Sequence, residues 1–318
     1  MTQLKFITLD VFTSKPYSGN PLAVVFLPED ESHALTQRQK HMITLEFNLS
    51  ETIFVHPKQE ASKRSIDIFT LEGELTFAGH PTIGAATWFL CHGPDAAAGE
   101  VTTLGTKSGD IQIAIQDPAT QYVAAKIAHN TRIHGARFSV QDLLRLHPTL
   151  APFCAQDASF PVFSIVNGMS QVLVELPSLE ALAAVTPATG GEMVDSEGGT
   201  YLDEGWRAGL TCVYFFVRDV QDSVMNQKVI RTRMVLGTLE DPATGSAASG
   251  LTAYLTLTEG EAGKEHRYHV VQGVEMGRRS DIGVNVTLDG SKQVAKVELT
   301  GTAVEVSEGK ILVPDEEK

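Results

Sequence analysis

The chain has 318 residues, 42% hydrophobic and 20% charged, a profile that fits one large or two medium globular domains, each able to bury its own core. Lys and Arg number 25 against 39 Asp and Glu, a formal net charge of −14. There is no extended basic cluster, which excludes nucleic acid and anionic membrane as expected partners, because nothing would neutralise a phosphate array.

The amino terminus lacks the charged-then-apolar pattern of a signal peptide and reads as a strand, continued by the apolar run 6–12. A second run, 22–27, follows. Thr36 with Gln39 forms a capping box for a helix through Phe47, with Met42, Ile43 and Phe47 on one stripe. Runs at 52–55 and 66–69 read as strands. The longest uncharged stretch, 75–94, holds two His, two Pro and several Gly, so no membrane span is expected. Alternation in Ile111-Gln112-Ile113-Ala114-Ile115 fits a strand with one buried face. Where alternation lapses, near 125–135, a lobe boundary is expected. Ser139 with Asp142 opens another helix through Leu146. Runs at 162–166 and 172–176 are strands, Ser178 begins a helix ended by Pro187, and the polar, Gly-rich stretch 189–205 is a loop. Runs at 211–217, 284–288 and 294–299 complete the strands. Strands and helices do not alternate regularly, so an α+β fold is expected rather than a doubly wound parallel sheet. Cys91, Cys154 and Cys212 form no C-x-x-C and no disulfide framework; they read as reduced core thiols of a cytoplasmic protein.

Two strings carry one pattern: His80-Pro81-Thr82-Ile83-Gly84-Ala85-Ala86 and Asp241-Pro242-Ala243-Thr244-Gly245-Ser246-Ala247. Both read polar-Pro-x-x-Gly-small-Ala and run into segments, 84–91 and 247–255, with no charge on any face. Such helices are buried all round, each at the centre of a sheet that curls about it. The pairing predicts two related lobes, each offering a helix N-terminus with His80 and Asp241 at equivalent places. Proline in a first helical turn is pre-organised and gives up an amide proton the helix does not need. The amides that follow, with Gly84 or Gly245 permitting close approach, make a cradle for a small anion.

Each candidate has a plainer alternative. Asp241 and, less well, His80 also suit helix N-caps. Glu51 enters an apolar strand beside Ile53 and Phe54. There poor solvation would raise its pKa toward the range useful for acid/base work; otherwise it is an exposed strand end. His266 and His269 lack a third ligand at metal spacing, so no metal is expected. Arg278-Arg279 suits a surface turn or an anion contact. With no G-x-G-x-x-G or Walker sequence, a nucleotide cofactor has no support.

Taken together, the motifs resemble those of the PhzF-like phenazine-biosynthesis isomerases, relatives of diaminopimelate epimerase. They are Asp10-Val11-Phe12-Thr13 with Gly19-Asn20-Pro21-Leu22-Ala23-Val24, then Leu49-Ser50-Glu51-Thr52, Phe77-Ala78-Gly79-His80-Pro81-Thr82-Ile83-Gly84, Glu240-Asp241-Pro242-Ala243-Thr244-Gly245-Ser246-Ala247 and Gln272-Gly273-Val274-Glu275-Met276-Gly277-Arg278. The resemblance implies two similar lobes, each a mostly antiparallel sheet wrapped around a central helix, with the active site in the cleft between them. The lobes would span 1–128 and 129–302, with a tail of about 303–318 returning to the first. It implies a homodimer, no cofactor, and movement of a proton on a small carboxylate-bearing substrate, as in isomerisation of trans-2,3-dihydro-3-hydroxyanthranilate. The family's catalytic residues fall on Glu51, His80 and Asp241. Gly79, Gly245 and Ser246 would hold the substrate carboxylate, and Gly168 in the Asn167-Gly168 turn would add a contact. Related racemases place a cysteine pair at the helix mouths. Here those mouths carry His80 and Asp241, which disfavours a two-cysteine epimerase or racemase. A binding or interaction module without turnover is the remaining alternative.

Overall fold

A computed structural model describes residues 2–30, 34–197 and 200–315. Gly198 and Gly199 of the predicted loop, and 316–318 of the predicted returning tail, lie outside the described residues. The chain forms two compact units, Met1–Ile127 with Leu299–Lys318, and Ala128–Glu298.

The first half of the chain runs β1 (Gln3–Val11), β2 (Asn20–Phe26), α1 (Gln37–Phe47), β3 (Glu51–Val55), β4 (Lys63–Thr70), β5 (Gly73–Leu75), α2 (Gly79–Thr87), β6 (Thr103–Thr106), β7 (Gly109–Asp117), β8 (Tyr122–Ile127) and β9 (Arg132–Ser139). The second runs α3 (Val140–Leu146), β10 (Ser159–Val166), β11 (Met169–Glu175), α4 (Leu179–Ala183), β12 (Leu210–Asp222), β13 (Gln227–Leu236), β14 (Leu239–Asp241), α5 (Gly245–Glu259), β15 (Glu265–Gln272), β16 (Ser280–Leu288), β17 (Val294–Gly301) and β18 (Ala303–Leu312).

The same pairing scheme is written twice. β1–β2 and β10–β11 are antiparallel; β2–β3 and β11–β12 are parallel, crossing over through α1 and α4. β3–β4 and β12–β13 are antiparallel, followed by the short hairpins β4–β5 and β13–β14. The parallel pairs β4–β6 and β13–β15 are joined through α2 and α5, and β6–β7 and β15–β16 close antiparallel. A parallel pair cannot be joined by a tight turn, so each needs a crossover, here helical. Each half also ends in a strand that pairs with the opening strand of the other half. β9 pairs with β10, and β18 pairs with β1.

The apolar strings become the central helices, but α2 starts five residues earlier than the sequence pattern suggested. All of Gly79–Thr87 is buried. Its hydroxyls are satisfied within the helix, Thr82 donating to the Ala78 carbonyl and Thr87 to that of Ile83, the back-bonding that lets threonine sit in an apolar helix. In α5, Thr252 and Thr256 do the same toward Ala248 and Thr252. Gly84 lets α2 lie close on the sheet: a Cβ there would sit 2.5 Å from Leu22 Cδ2 and 3.0 Å from Val11 Cγ2.

The crossover helices are fixed by buried charge at one register position. Asp67 and Arg233 are equivalent, since the residues two further on, Phe69 and Val235, face Glu74 and Glu240 in the matching hairpins. Asp67 accepts from Lys40 of α1 at 2.5 Å and pairs with His56 at 2.9 Å. Arg233 instead donates to the carbonyls of Leu182, Ala183 and Val185 at the end of α4 and pairs with Glu240 at 2.7 Å. The predicted caps hold as well. Thr36 and Gln39 form the capping box of α1, and Ser139 and Ser178 cap α3 and α4. The α4 helix is only five residues long. Cys154 departs from the expectation of a core thiol within an element: it follows a 3₁₀ segment and is half-buried, as is Cys91.

Candidate active site

Asn48 ends α1 in the left-handed region (φ 51°), its amide returning to the Thr44 carbonyl. The chain reverses there, and two residues later Glu51 opens β3 beside Leu22 of β2. His80 is the second residue of α2, whose N-cap, Ala78, has no side chain able to cap it. These elements set His80 Nδ1 3.1 Å from Glu51 Oε2, with side chains 3% and 18% exposed. The two groups are close enough to interact directly, although the alignment at Oε2 falls short of a regular hydrogen bond. Burial pushes the Glu51 carboxyl up, but the charge and donor of His80, with help from the Ser50 hydroxyl, more than reverse this, and its pKa lies below the ordinary 4.5. Solvation alone suggested the opposite direction; the histidine decides it. Ser50 also reaches Asn20 Oδ1 at 3.4 Å. It lies inside the Leu49-Ser50-Glu51-Thr52 motif, where nothing in the residue pattern marks it out from its neighbours.

In the second unit Asp241 is the last residue of β14, and α5 begins at Gly245. The N-cap position is Thr244, not Asp241, and the Thr244 hydroxyl donates to Asp241 Oδ2 at 2.6 Å. Gly245 and Ser246 open α5 as Gly79 and His80 open α2. The repeat therefore registers differently from its sequence pattern. Ile68 faces Leu75 in the first hairpin and Met234 faces Asp241 in the second, so Asp241 corresponds to Leu75, and His80 to Ser246. The polar-Pro-x-x-Gly strings misalign by five residues because they match a glycine inside α2, Gly84, with the first residue of α5. Pro81 lies in the first turn of its helix, whereas Pro242 precedes its helix.

Register also identifies the counterpart of Glu51. Thr52 faces Phe69, and Val213 faces Val235, so Glu51 corresponds to Cys212. Burial pushes that thiol up to about 12, so the second unit holds no ionised group at the position of Glu51. Gly168 (φ 92°) sits in the β10–β11 turn, its carbonyl accepting from the Leu210 amide at 3.0 Å. Arg279 pairs with Asp222 and Asp281, a structural role. His266 bonds locally to Glu261. Among the described residues, no group of three or more His, Cys, Asp or Glu is arranged to hold a metal ion, and no helix is long and apolar enough to cross a membrane.

The chain is thus an α+β protein of two repeats, with a carboxylate and an imidazole set together at the mouth of one central helix. The family model for phenazine biosynthesis-like proteins (PhzC-PhzF) matches residues 9–309, and the chain belongs to that family. It is 31% identical to an uncharacterised isomerase of Pasteurella multocida over all of this chain and 97% of that protein. It is 29% identical to a trans-2,3-dihydro-3-hydroxyanthranilate isomerase of Pseudomonas chlororaphis, covering 97% of this chain and 99% of that one. Among solved structures, a PhzF-family phenazine biosynthesis protein of Bacillus anthracis superposes with a TM-score of 0.72 at 24% identity, over 98% of this chain and 100% of that one. Isomerase is the class of activity that goes with this membership.

Proposed function

We propose that this protein isomerises a small carboxylate-bearing, amino-acid-like substrate by moving a proton between its carbons without a cofactor; a Pseudomonas chlororaphis relative is named as an isomerase of trans-2,3-dihydro-3-hydroxyanthranilate. The observation that carries this reading is the buried Glu51–His80 pair at 3.1 Å. Its lowered pKa keeps Glu51 ionised at rest, the form needed to take a proton. Once it has done so, the protonated carboxyl returns the proton to a second carbon. While Glu51 carries the proton, His80 is without its anionic partner and is available to stabilise negative charge developing on the substrate. Gly79 belongs to the same helix mouth, where backbone amides favour a carboxylate. Asp241, Gly245, Ser246 and Gly168 are proposed as substrate contacts contributed by the second unit, with Asp241 also counted among the catalytic groups. The family resemblance adds a homodimer to the proposal, and the cysteine usage adds a cytoplasmic location. Sedimentation distinguishes a 34.3 kDa monomer from a species of twice that mass.

The test is deuterium incorporation from D₂O into trans-2,3-dihydro-3-hydroxyanthranilate and related cyclic and acyclic amino acids. Incorporation by the natural protein that Glu51→Gln abolishes is the expected result. Equal incorporation by both would remove Glu51 from its role, and none with any candidate would favour a binding protein.

A further inference from the structure

Gln272, the last residue of β15, is fully buried, and both ends of its amide are committed to the segment joining β14 to α5. Nε2 donates to the Asp241 carbonyl at 2.7 Å and to Thr244 Oγ1 at 3.0 Å. Oε1 accepts from the Thr244 backbone amide at 3.3 Å and from the Tyr214 hydroxyl at 3.0 Å. This orientation cannot be reversed, because a backbone amide only donates and a backbone carbonyl only accepts. Burial raises the Tyr214 pKa well above its ordinary value, so its hydroxyl keeps the proton it donates. Thr244 Oγ1, already accepting from Gln272, has one proton left to give, and Asp241 Oδ2 stands 2.6 Å away. The hydrogen bonds therefore run one way, from amide to hydroxyl to carboxylate.

The backbone around this chain is equally constrained. Gly273 has φ +73°, and a Cβ there would sit 2.5 Å from the Arg278 carbonyl oxygen and 2.6 Å from that of Pro242. Only glycine allows the turn to press Gln272 against the segment it holds.

We propose that Gln272 and Thr244 are positioning residues that aim the Asp241 carboxylate, Gln272 by fixing which way the Thr244 hydroxyl points. The proposal rests on the reading that Asp241 contacts substrate. It adds the two residues, neither in contact with the reacting atoms, that set the carboxylate's direction. A hydrogen bond to a charged group is among the stronger ones in a folded protein, so losing this donor has a measurable effect.

The experiment has two arms. In the first, the protein is labelled with ¹³Cγ-aspartate and the Asp241 resonance is assigned by its absence in Asp241→Asn. Thr244→Val and Gln272→Glu should both move that resonance, and Thr244→Ser should return it to the natural position. An unmoved resonance in both variants overturns the proposal. Thr244→Ala serves if Thr244→Val does not fold. In the second arm, deuterium incorporation into trans-2,3-dihydro-3-hydroxyanthranilate is followed. Thr244→Val should lower kcat/KM about tenfold or more and Thr244→Ser should restore it. In an Asp241→Asn background Thr244→Val should cost nothing further, as expected of groups that act through one another. Full additivity of the two losses overturns the proposal. If the natural protein incorporates no deuterium, the assigned substrate fails while the first arm still decides on the relay.

Discussion

Replacing His80 with leucine isolates what the histidine does for Glu51. At 3.1 Å and an effective dielectric of about 20, the attraction between carboxylate and imidazolium is about 5 kcal/mol. The substitution removes that attraction and a donor, while the burial of Glu51 stays. A buried charge left without its partner costs about 3–5 kcal/mol, and a carboxylate avoids that cost by taking up a proton. The direction of the Glu51 shift then reverses, from below the ordinary carboxylate value to above it. On the proposed mechanism a larger share of the base is then protonated at a given pH, and it is regained as pH rises. His80→Leu should therefore fall by about 100-fold or more at neutral pH and climb toward alkaline pH. Glu51→Gln should be low and flat. The assay is initial-rate deuterium incorporation across pH, with circular dichroism to confirm the fold. A His80→Leu profile that superimposes on that of the natural protein would refute the reasoning. The linkage sign follows for the natural protein. A depressed pKa contributes stability above the unfolded value of 4.5, and this is lost as pH falls through the lower folded value.

Lys40→Met should cost about 1.5–3 kcal/mol in urea denaturation at neutral pH, because it removes the ammonium from the mostly buried Asp67 and leaves His56 as its remaining partner; a loss under about 0.5 kcal/mol would contradict the anchoring role. Burial pushes Asp67 up, yet His56 and Lys40 bring it below the ordinary 3.8. Its contribution is thus present above that value and fades as acid passes the folded pKa, a slope that Lys40→Met should flatten. Gly84→Ala should destabilise by about 1–3 kcal/mol although alanine is the better helix former by about 1 kcal/mol, since its Cβ meets Leu22 and Val11; a raised melting temperature would show that the contact yields. Native Cys212 should resist iodoacetamide at pH 8, where a thiol of pKa about 12 is ionised roughly once in ten thousand, and should react once the protein is unfolded.

Local chemistry in the sequence was a good guide to local structure. Thr36 with Gln39, and Ser139 ahead of Asp142, announce helix starts because a cap is satisfied within a few residues. The uncharged strings announce buried helices for the same reason. Charge within strands hid others: β13 carries Lys228, Arg231 and Arg233, and β18 alternates Glu and Lys outward, so neither looked apolar enough. The repeat's true register was invisible. It is set by cross-strand pairs such as Ile68 with Leu75 and Met234 with Asp241, which share no residue identity. For the same reason nothing in the sequence matched Glu51 with Cys212, or showed Gln272 reaching back to Thr244. Family likeness pointed to Glu51, but the direction of its pKa depends on a neighbour 29 positions away in the chain.

The pairing of β1 with β18 gives synthesis an order. Residues 128–298 are continuous, so their unit is assembled from a single stretch of chain. The first unit waits for residues 303–312, since its opening strand has no second neighbour until they emerge. The half that holds Glu51 and His80 is therefore the last to close, and a nascent chain stalled before β18 would leave one side of β1 open to pairing with another molecule.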